Sequence, residues 1–478
     1  MRRITYTVLF GLLGLSGCMV GPNYHRPQLV VPAAYKAAPG WVKAKPADAA
    51  PKGQWWKNFQ DPTLDKLEAQ VVVNNATLAA DYYAYSQAVA LTQEDRGSLF
   101  PTLALAGSAT RSGKGASGVS SPSTSGSFEG QASWSLDIWG KIRRQVQSDV
   151  ARAQVSAADL ANATLSAQAE LASDYVYLRS ADANIALLRQ TIAAYQVSLR
   201  ITQNKYNAGT VSQSDVITAQ TALDGAQSSL IAEQATRAQY EHAIAVLTGR
   251  APAELSIPQG AQIAVIPSPP PQVPSTLLER RPDIAAAERS MAEQNALIGV
   301  AVGAYYPDIS ISALGGYSVT PITALFGASS ALWSFGTTAT DDLFDGGARA
   351  QGVAAAKASY MESVETYRQT VLTAFQEVEN DLSNLQFYAR QAQVQAQAVA
   401  DASRAAQIAL NEYRAGTADY TTVVTAQVTL LTDQQTALSI QQNRLLASVG
   451  LYADLGGGFK ASDLPTAAQI QSRLPFAP

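Results

Sequence analysis

Two kinds of hydrophobic patterning alternate along this chain. Residues 143–205 and 354–413 carry apolar positions at helical spacing with no Gly or Pro, and Gly209 and Gly416 separate them from further helical stretches at 212–248 and 419–454. Ala, Gln, Leu, Ser and Glu dominate these stretches, a composition that favours helix. At about 1.5 Å per residue the longer ones predict helices of roughly 95 Å, far beyond the globular norm. Shorter helical stretches at 64–98 and 275–304 run up to Pro101 and Pro307, where a period of two takes over. After Pro101 the order is Leu103, Ala104, Leu105, Ala106, and after Pro307 it is Ile309, Ser310, Ile311, Ser312. A second strand places Phe128, Gly130, Ala132, Trp134 and Leu136 on one face and Glu129, Gln131, Ser133 and Ser135 on the other, with a weaker counterpart around Trp333, Phe335, Thr337 and Ala339. Strands of about 9 to 10 residues suit a membrane crossing. Gly, Ser and Thr fill the loops expected at 111–127 and 318–330. Gly113-Lys114-Gly115 is not a phosphate loop, because it lacks the spacing and the following helix.

The halves repeat one another. Tyr206, Ala208, Gly209 and Thr210 return as Tyr413, Ala415, Gly416 and Thr417, a spacing of 207 residues. The same spacing relates Asn204 to Asn411, Val216 to Val423, Gln220 to Gln427, Glu170 to Glu377, Asp174 to Asp381 and Gly249 to Gly456. This reads as a tandem duplication in which each half holds a helix, two strands and a long helical hairpin.

Arg2 and Arg3, an apolar run over 8–15, and Ser16-Gly17-Cys18 form a targeting segment. The run is too short to span a bilayer. Either Cys18 becomes the acylated first residue of a lipoprotein, or the segment is an ordinary signal peptide; the small residues before the chain's one Cys favour the first. Met19 after the Cys points to the outer membrane. The balance of 34 Lys+Arg against 38 Asp+Glu leaves no basic surface for nucleic acid. With two His and one Cys, metal clusters and disulfide frameworks lack ligands, and neither His25 nor His242 reads as catalytic. Four Met, counting Met1, do not make a relay for soft metals. The chain is not expected to be an enzyme, and no cofactor is expected beyond a lipid on Cys18.

Four strands cannot close a barrel, and lipid forbids an open sheet edge. The chain must therefore oligomerise: a dimer gives eight strands and a filled barrel, a trimer gives twelve strands and a lumen. The return helices of about 35 residues, stacked end to end in pairs, roughly match one long helix and would build a helical barrel continuous with the strands. A trimeric adhesin or scaffold and a diffusion porin are the rivals. Strands occurring twice per chain speak against the first, and the helix lengths against the second.

Several motifs in order resemble TolC-like outer membrane factors, specifically the NodT-type lipoprotein branch. They are Cys18 to Pro27 (CMVGPNYHRP), Trp55-Trp56 before Asp61-Pro62, Leu136-Asp137-Ile138-Trp139-Gly140, Glu279-Arg280-Arg281-Pro282-Asp283-Ile284, Tyr306-Pro307 and Leu343-Phe344-Asp345-Gly346-Gly347. Each reads first as construction: Gly140, Gly346 and Gly347 for the strand-to-helix turns, Arg280, Arg281 and Asp283 for a helix start, Trp55 and Trp56 for packing at the helical waist. The resemblance implies a mixed α and β membrane protein: a homotrimer with a twelve-stranded transmembrane β-barrel, four strands per chain, continuous with a long periplasmic α-helical barrel. The chain then divides into a signal peptide 1–17, equatorial segment 18–60, first repeat 61–254, linker 255–274, second repeat 275–456 and equatorial tail 457–478. It further implies an outer-membrane exit duct for drugs or other small amphipathic compounds, served by a periplasmic adaptor and an inner-membrane RND-type transporter; a type I protein-secretion duct is the alternative within the family. The tip turns Ala208, Gly209, Thr210 and Ala415, Gly416, Thr417 would dock the adaptor. Asp215 and Tyr413 would hold the gate shut, with Asp419 a third candidate. Thr422 and Thr425 stand where acids are expected, and Ala418 stands where a base is expected.

Overall fold

The computed structural model describes residues 19–27, 53–113, 122–267 and 280–472, so Cys18, the targeting segment and the start of the predicted second repeat lie outside the described residues. The elements run α1 (Pro62–Asn74), α2 (Ala76–Gly97), β1 (Thr102–Ser112), β2 (Ser123–Leu136), α3 (Lys141–Asn207), α4 (Gln213–Leu247), α5 (Pro282–Gly303), β3 (Asp308–Val319), β4 (Ala331–Thr340), α6 (Ala348–Ala415), α7 (Tyr420–Asp454) and α8 (Ala467–Gln471). No described helix is long and apolar enough to cross a membrane.

The four strands form one antiparallel sheet in the order β1-β2-β3-β4, with Thr102 opposite Ser133, Trp134 opposite Ile311 and Ile311 opposite Thr337. Both outer strands therefore present a free edge. β1, β2 and β3, at 11, 14 and 12 residues, are longer than the side-chain alternation indicated, and β4 has the expected 10. The expected loops are correspondingly shorter, because strand ends at Ser123 and Val319 fall inside them. The backbone ladder carries on through Ser, Thr and Gly, whose side chains give no apolar signal. At the loop end the Phe326 ring lies 6.2 Å from that of Phe128 and 5.7 Å from that of Tyr317.

Below the sheet, each strand-to-helix turn is built the same way. Gly140 (φ 79°) and Gly347 (φ 91°) take left-handed positions before α3 and α6. An aspartate covers the exposed amides of each helix start: Asp137 accepts from the N–H groups of Ile142 (2.9 Å) and Arg143 (3.0 Å), and Asp345 from those of Gly347 (2.8 Å) and Arg349 (3.0 Å). This accounts for the two Asp–Gly motifs. Met19 lies against Gly140, where an added Cβ would stand 2.6 Å from Met19 Cγ, and the Val20 N–H donates to the Trp139 carbonyl at 3.1 Å.

α3 and α6, of 67 and 68 residues, are about 100 Å long. Alongside α3 run α2 and then α4; alongside α6 run α5 and then α7. The stretch expected as a single helix at 64–98 is two helices, because Asn75 interrupts it. The Asn75 side chain accepts from Thr77 N–H (2.9 Å) and Leu78 N–H (3.2 Å) and donates to the Leu247 carbonyl at the end of α4 (3.1 Å). One amide thus starts α2 and finishes α4, fixing the end-to-end stack. Gly249 (φ 70°) leaves room for it, since a Cβ there would lie 2.1 Å from the Asn74 carbonyl oxygen. Gly456 (φ 88°) does the same in the second half, where a Cβ would meet the Arg280 carbonyl at 2.4 Å. Arg281 precedes α5 there and pairs with Asp283 (2.8 Å), Glu377 (2.8 Å) and Asp454 (3.4 Å). It caps the junction through these pairs instead of binding the amides of α5.

The waist is the best-packed region. Trp55 and Trp56 are buried with Phe59, Leu64, Leu171, Tyr175, Leu445 and Val449, and Trp55 stacks on Tyr452 at 5.9 Å. A strap after α4 crosses the helices there. Asp182 holds it, accepting from Arg179 (3.0 Å), Arg237 (2.7 Å) and the Gly260 N–H (3.0 Å). Glu68 on α1 is fully buried, and neither carboxylate oxygen has a hydrogen-bond partner. Burial, with Asp65 nearby, pushes its carboxyl from an ordinary value of 4.5 up to about 9. The folded chain therefore holds a proton that the unfolded chain releases, and this destabilises the fold progressively as pH rises from about 4.5 to 9. At pH 7 the penalty is on the order of 3 kcal/mol. Glu68→Met is expected to raise the thermal midpoint at pH 8 and to flatten its decline between pH 5 and 9; an unchanged slope in melts of the detergent-solubilised protein would mean that Glu68 is not the group responsible.

Candidate periplasmic gate and tip turns

The end of each long hairpin is a helix reversal that the local sequence specifies. Gly209 (φ 70°) and Gly416 (φ 79°) occupy the left-handed position. The Gly209 N–H donates to the Tyr206 carbonyl at 2.8 Å and the Thr210 N–H to the Lys205 carbonyl at 2.9 Å; Gly416 to Tyr413 (3.2 Å) and Thr417 to Glu412 (3.0 Å) repeat both bonds. These are the two hydrogen bonds of a Schellman ending. Each threonine hydroxyl also donates to the carbonyl its own amide reaches, at 2.9 Å for Thr210 and 3.1 Å for Thr417. Ala208 and Ala415 complete the turns, and all six predicted tip residues are exposed at the ends of the hairpins.

The three gate candidates lie beside the tip turns, each engaged within the chain. Asp215 lies in the first turn of α4 in a capping box: its carboxylate accepts from the Ser212 N–H (3.2 Å), while its own N–H donates to Ser212 Oγ (3.3 Å). Asp419 begins α7, accepting from the N–H (3.1 Å) and hydroxyl (2.9 Å) of Thr422, which hold its carboxyl below the usual range. The two return helices thus carry one hydroxyl and one carboxylate each, in reversed order. Tyr413 is buried, and its hydroxyl meets Thr202 Oγ1 at 3.2 Å rather than Asp215. Within the chain the Tyr413 hydroxyl bonds Thr202, while the capping box uses one oxygen of the Asp215 carboxylate. Burial raises the Tyr413 phenol, and the Asp215 charge adds to that rise.

Other residues join the hairpins. The Lys205 ammonium donates to the Tyr413 carbonyl and stands 4.4 Å from the centre of its ring. Tyr413 packs edge-on against Tyr420 at 5.4 Å, with Val423 and Ala409 in the same cluster. Further up, Gln427 Nε2 donates to Ser198 Oγ at 2.9 Å, both residues buried. The sequence reading missed Lys205, Thr202 and Ser198. A signal existed: they are positions where the repeat fails, with Glu412, Ala409 and Ala405 standing at the matching places.

An open-edged sheet of membrane-length strands set on helical hairpins of about 100 Å defines an outer-membrane duct with a periplasmic extension. The chain belongs to the Outer membrane efflux protein family, whose family model matches residues 68–250 and again 273–457. It is similar to the toluene efflux pump outer membrane protein TtgC of Pseudomonas putida, 29% identical over 454 residues that cover 93% of each chain. It is also similar to nodulation protein T of Rhizobium leguminosarum bv. trifolii, 29% identical over 446 residues, 90% of this chain and 92% of the relative. Among solved structures, the outer-membrane channel OprN superposes with a TM-score of 0.84 at 28% identity, covering 92% of this chain and 99% of that one. The protein is a TolC-like outer membrane factor and serves as an exit duct for efflux across the outer membrane; it is a transport component and not an enzyme.

With the capping box as its main role, Asp215→Ala is expected to cost about 1 kcal/mol at the start of α4. It should appear as faster amide hydrogen exchange over 212–216 with exchange at 410–416 unchanged; faster exchange around Tyr413 would instead place the carboxylate in the gate.

Proposed function

We propose that three copies assemble around a threefold axis, closing a twelve-stranded transmembrane barrel above a helical barrel of six hairpins, and that the chain arose by duplication of one strand-pair and hairpin unit. The observation that carries this is a matched pair of seams. Ile201 on α3 and Val424 on α7 pack in the seam between the chain's own hairpins. At the same spacing of 207 residues, Ile408 on α6 and Ile217 on α4 are bare, 49% and 59% exposed. A surface that is covered once within the chain and left open once is what a ring of alternating equivalent hairpins requires. The free edges of β1 and β4 call for the same closure.

In this reading the duct completes a tripartite pump. A periplasmic adaptor docks at the turns around Gly209 and Gly416, and an inner-membrane RND-type transporter supplies the cargo. Small amphipathic compounds suit it: relatives are named for toluene, solvent and antibiotic efflux. The lipid on Cys18 acts as a second anchor beside the barrel. Met19 packs at the strand-to-helix turn, which supports placing that lipid at the inner surface of the outer membrane. Residues 215, 413 and 419 contribute to the narrow end of the duct.

Ala208→Trp and Ala415→Trp are expected to lower drug efflux several-fold in cells while trimers of unchanged mass persist in detergent by light scattering; full efflux in both variants would remove the tips from adaptor docking. The mature chain is expected to begin at an acylated Cys18. Intact mass spectrometry returning an unmodified Cys18, or another first residue, would exclude the lipid anchor.

A further inference from the structure

The four strands hold three charged residues, Arg111, Glu129 and Asp308, and two of them lie at strand ends. Arg111 is the last but one residue of β1. Asp308 is the first of β3, 3.8 Å from the Lys141 ammonium. Glu129 instead sits near the middle of β2, where the wall of a barrel crosses the centre of the membrane. It shares a face with Gln131, Ser133 and Ser135, while Phe128, Trp134 and Leu136 point the other way. A charge at that depth is penalised against lipid and tolerated against water, so this face is the lumen side of the sheet.

The wall is shaped around this side chain. Its partners in register are Ala106 on β1 and Gly316 on β3. An added Cβ at Gly316 would lie 2.7 Å from Glu129 Cα and 3.0 Å from its Cγ, so the stem of Glu129 rests against bare backbone. Among the described residues no hydrogen bond or ion pair engages its carboxylate. Ser127 and Gln131, the next residues on the same face, are neutral. The repeat supplies no second charge either, because at the spacing of 207 residues Glu129 becomes Gly336 of β4.

We propose that Glu129 sets the charge preference of the transmembrane barrel, favouring cationic over anionic solutes. This rests on the trimer reading above, which places three such carboxylates at one level of the lumen. Twelve strands about 4.8 Å apart and tilted about 40° make a backbone cylinder roughly 24 Å across. Carboxylates reaching inward from that wall stand on the order of 12 Å apart, too far to grip one metal ion at ligand distances of about 2.5 Å. They act through their field instead. Coulomb attraction in water, screened over about 10 Å at 0.1 M salt, enriches a monovalent cation on the axis about threefold and depletes an anion by the same factor. At 1 M salt, with screening over about 3 Å, both factors fall to nearly one.

Cysteine labelling reads this field in the barrel itself, whatever the state of the tips. Gln131→Cys puts a thiol beside Glu129, and its reaction rates with a trimethylammonium-ethyl and a sulfonato-ethyl methanethiosulfonate are compared. Adding Glu129→Gln should lower the ratio of cationic to anionic rate about fivefold at 0.1 M salt and leave it unchanged at 1 M. Glu129→Asp, which keeps the charge, should preserve the ratio. In planar bilayers under a dilute KCl gradient, Glu129→Gln should lower the cation-to-anion permeability ratio of open events about threefold, and Glu129→Lys should lower it further. An unchanged labelling ratio, or an unchanged permeability ratio in both variants, would overturn the proposal. So would intact trimers in which the Gln131→Cys thiol reacts with neither reagent, since that face would then meet lipid. Absence of any trimer in detergent would instead remove the assembly on which it stands.

Discussion

Lipid cannot satisfy a backbone N–H or C=O, and the rest of this architecture follows from that constraint. β2 and β3 must be neighbours to satisfy each other, yet 171 residues separate Leu136 from Asp308 in sequence. The chain can travel away from the membrane and return only if its descending and ascending paths match in length. α3 descends in one piece of 67 residues. The ascent is made by α4 and α5, of 35 and 22 residues, with the waist strap between them. The waist is where this difference in continuity is absorbed. There the segment carrying Trp55, Trp56 and Phe59 packs its rings against Tyr452, and the strap is tied to the helices through the buried Arg179–Asp182–Arg237 group.

The two end-to-end helix junctions solve one geometric problem with different chemistry. In the first half a neutral asparagine amide spans the joint, and Gly249 lets the backbones approach. In the second, Arg281 stands among Asp283, Glu377 and Asp454, and Asp381 packs on Gly450, where an added Cβ would lie 2.7 Å from its carboxylate. Burial and the neighbouring Asp454 push the Asp381 carboxyl up to about 8, so one proton is retained in this cluster at neutral pH. A single arginine cannot neutralise four carboxylates, and protonation removes the excess charge. In the first junction Leu247 and Asn74 occupy the places of Asp454 and Arg281, and the matching carboxyl, Asp174, is pushed up only to about 6, by burial and the neighbouring Glu170.

Much of this was legible in the sequence. Glycine reversals and the spacing of 207 residues located α3, α4, α6 and α7 to within six residues at each end, because each signal is local and chemically strong. Asn75 was not legible as a break: an asparagine inside a helical pattern announces a cap only when its amide finds a second helix end, here the Leu247 carbonyl. Strand ends escaped for the opposite reason. Ser, Thr and Gly contribute hydrogen-bonded backbone and almost no side-chain pattern. At the tip, the resemblance named Asp215 and Tyr413, but it could not show that Ser212 bonds one oxygen of the carboxylate or that Thr202 meets the phenol. The capping bonds join neighbours three residues apart, and local bonds of this kind form at less entropic cost than contacts between hairpins.

On the duplication proposed above, the informative positions are those where the two halves differ. Identity between the halves marks what the fold demands of every hairpin: Gly209 with Gly416 for reversal, Thr210 with Thr417 for closing the turn, Gly249 with Gly456 for stacking. Those residues cannot distinguish one seam from another, because they serve both. Lys205 and Ser198 lie where the two hairpins of the chain meet, and at the matching places the second half has the exposed Glu412 and Ala405, an opposite charge and a missing hydroxyl. In the threefold assembly proposed above, two unequal copies in a single chain give the ring two distinguishable kinds of seam, whereas a ring built from one unrepeated hairpin would have identical seams throughout.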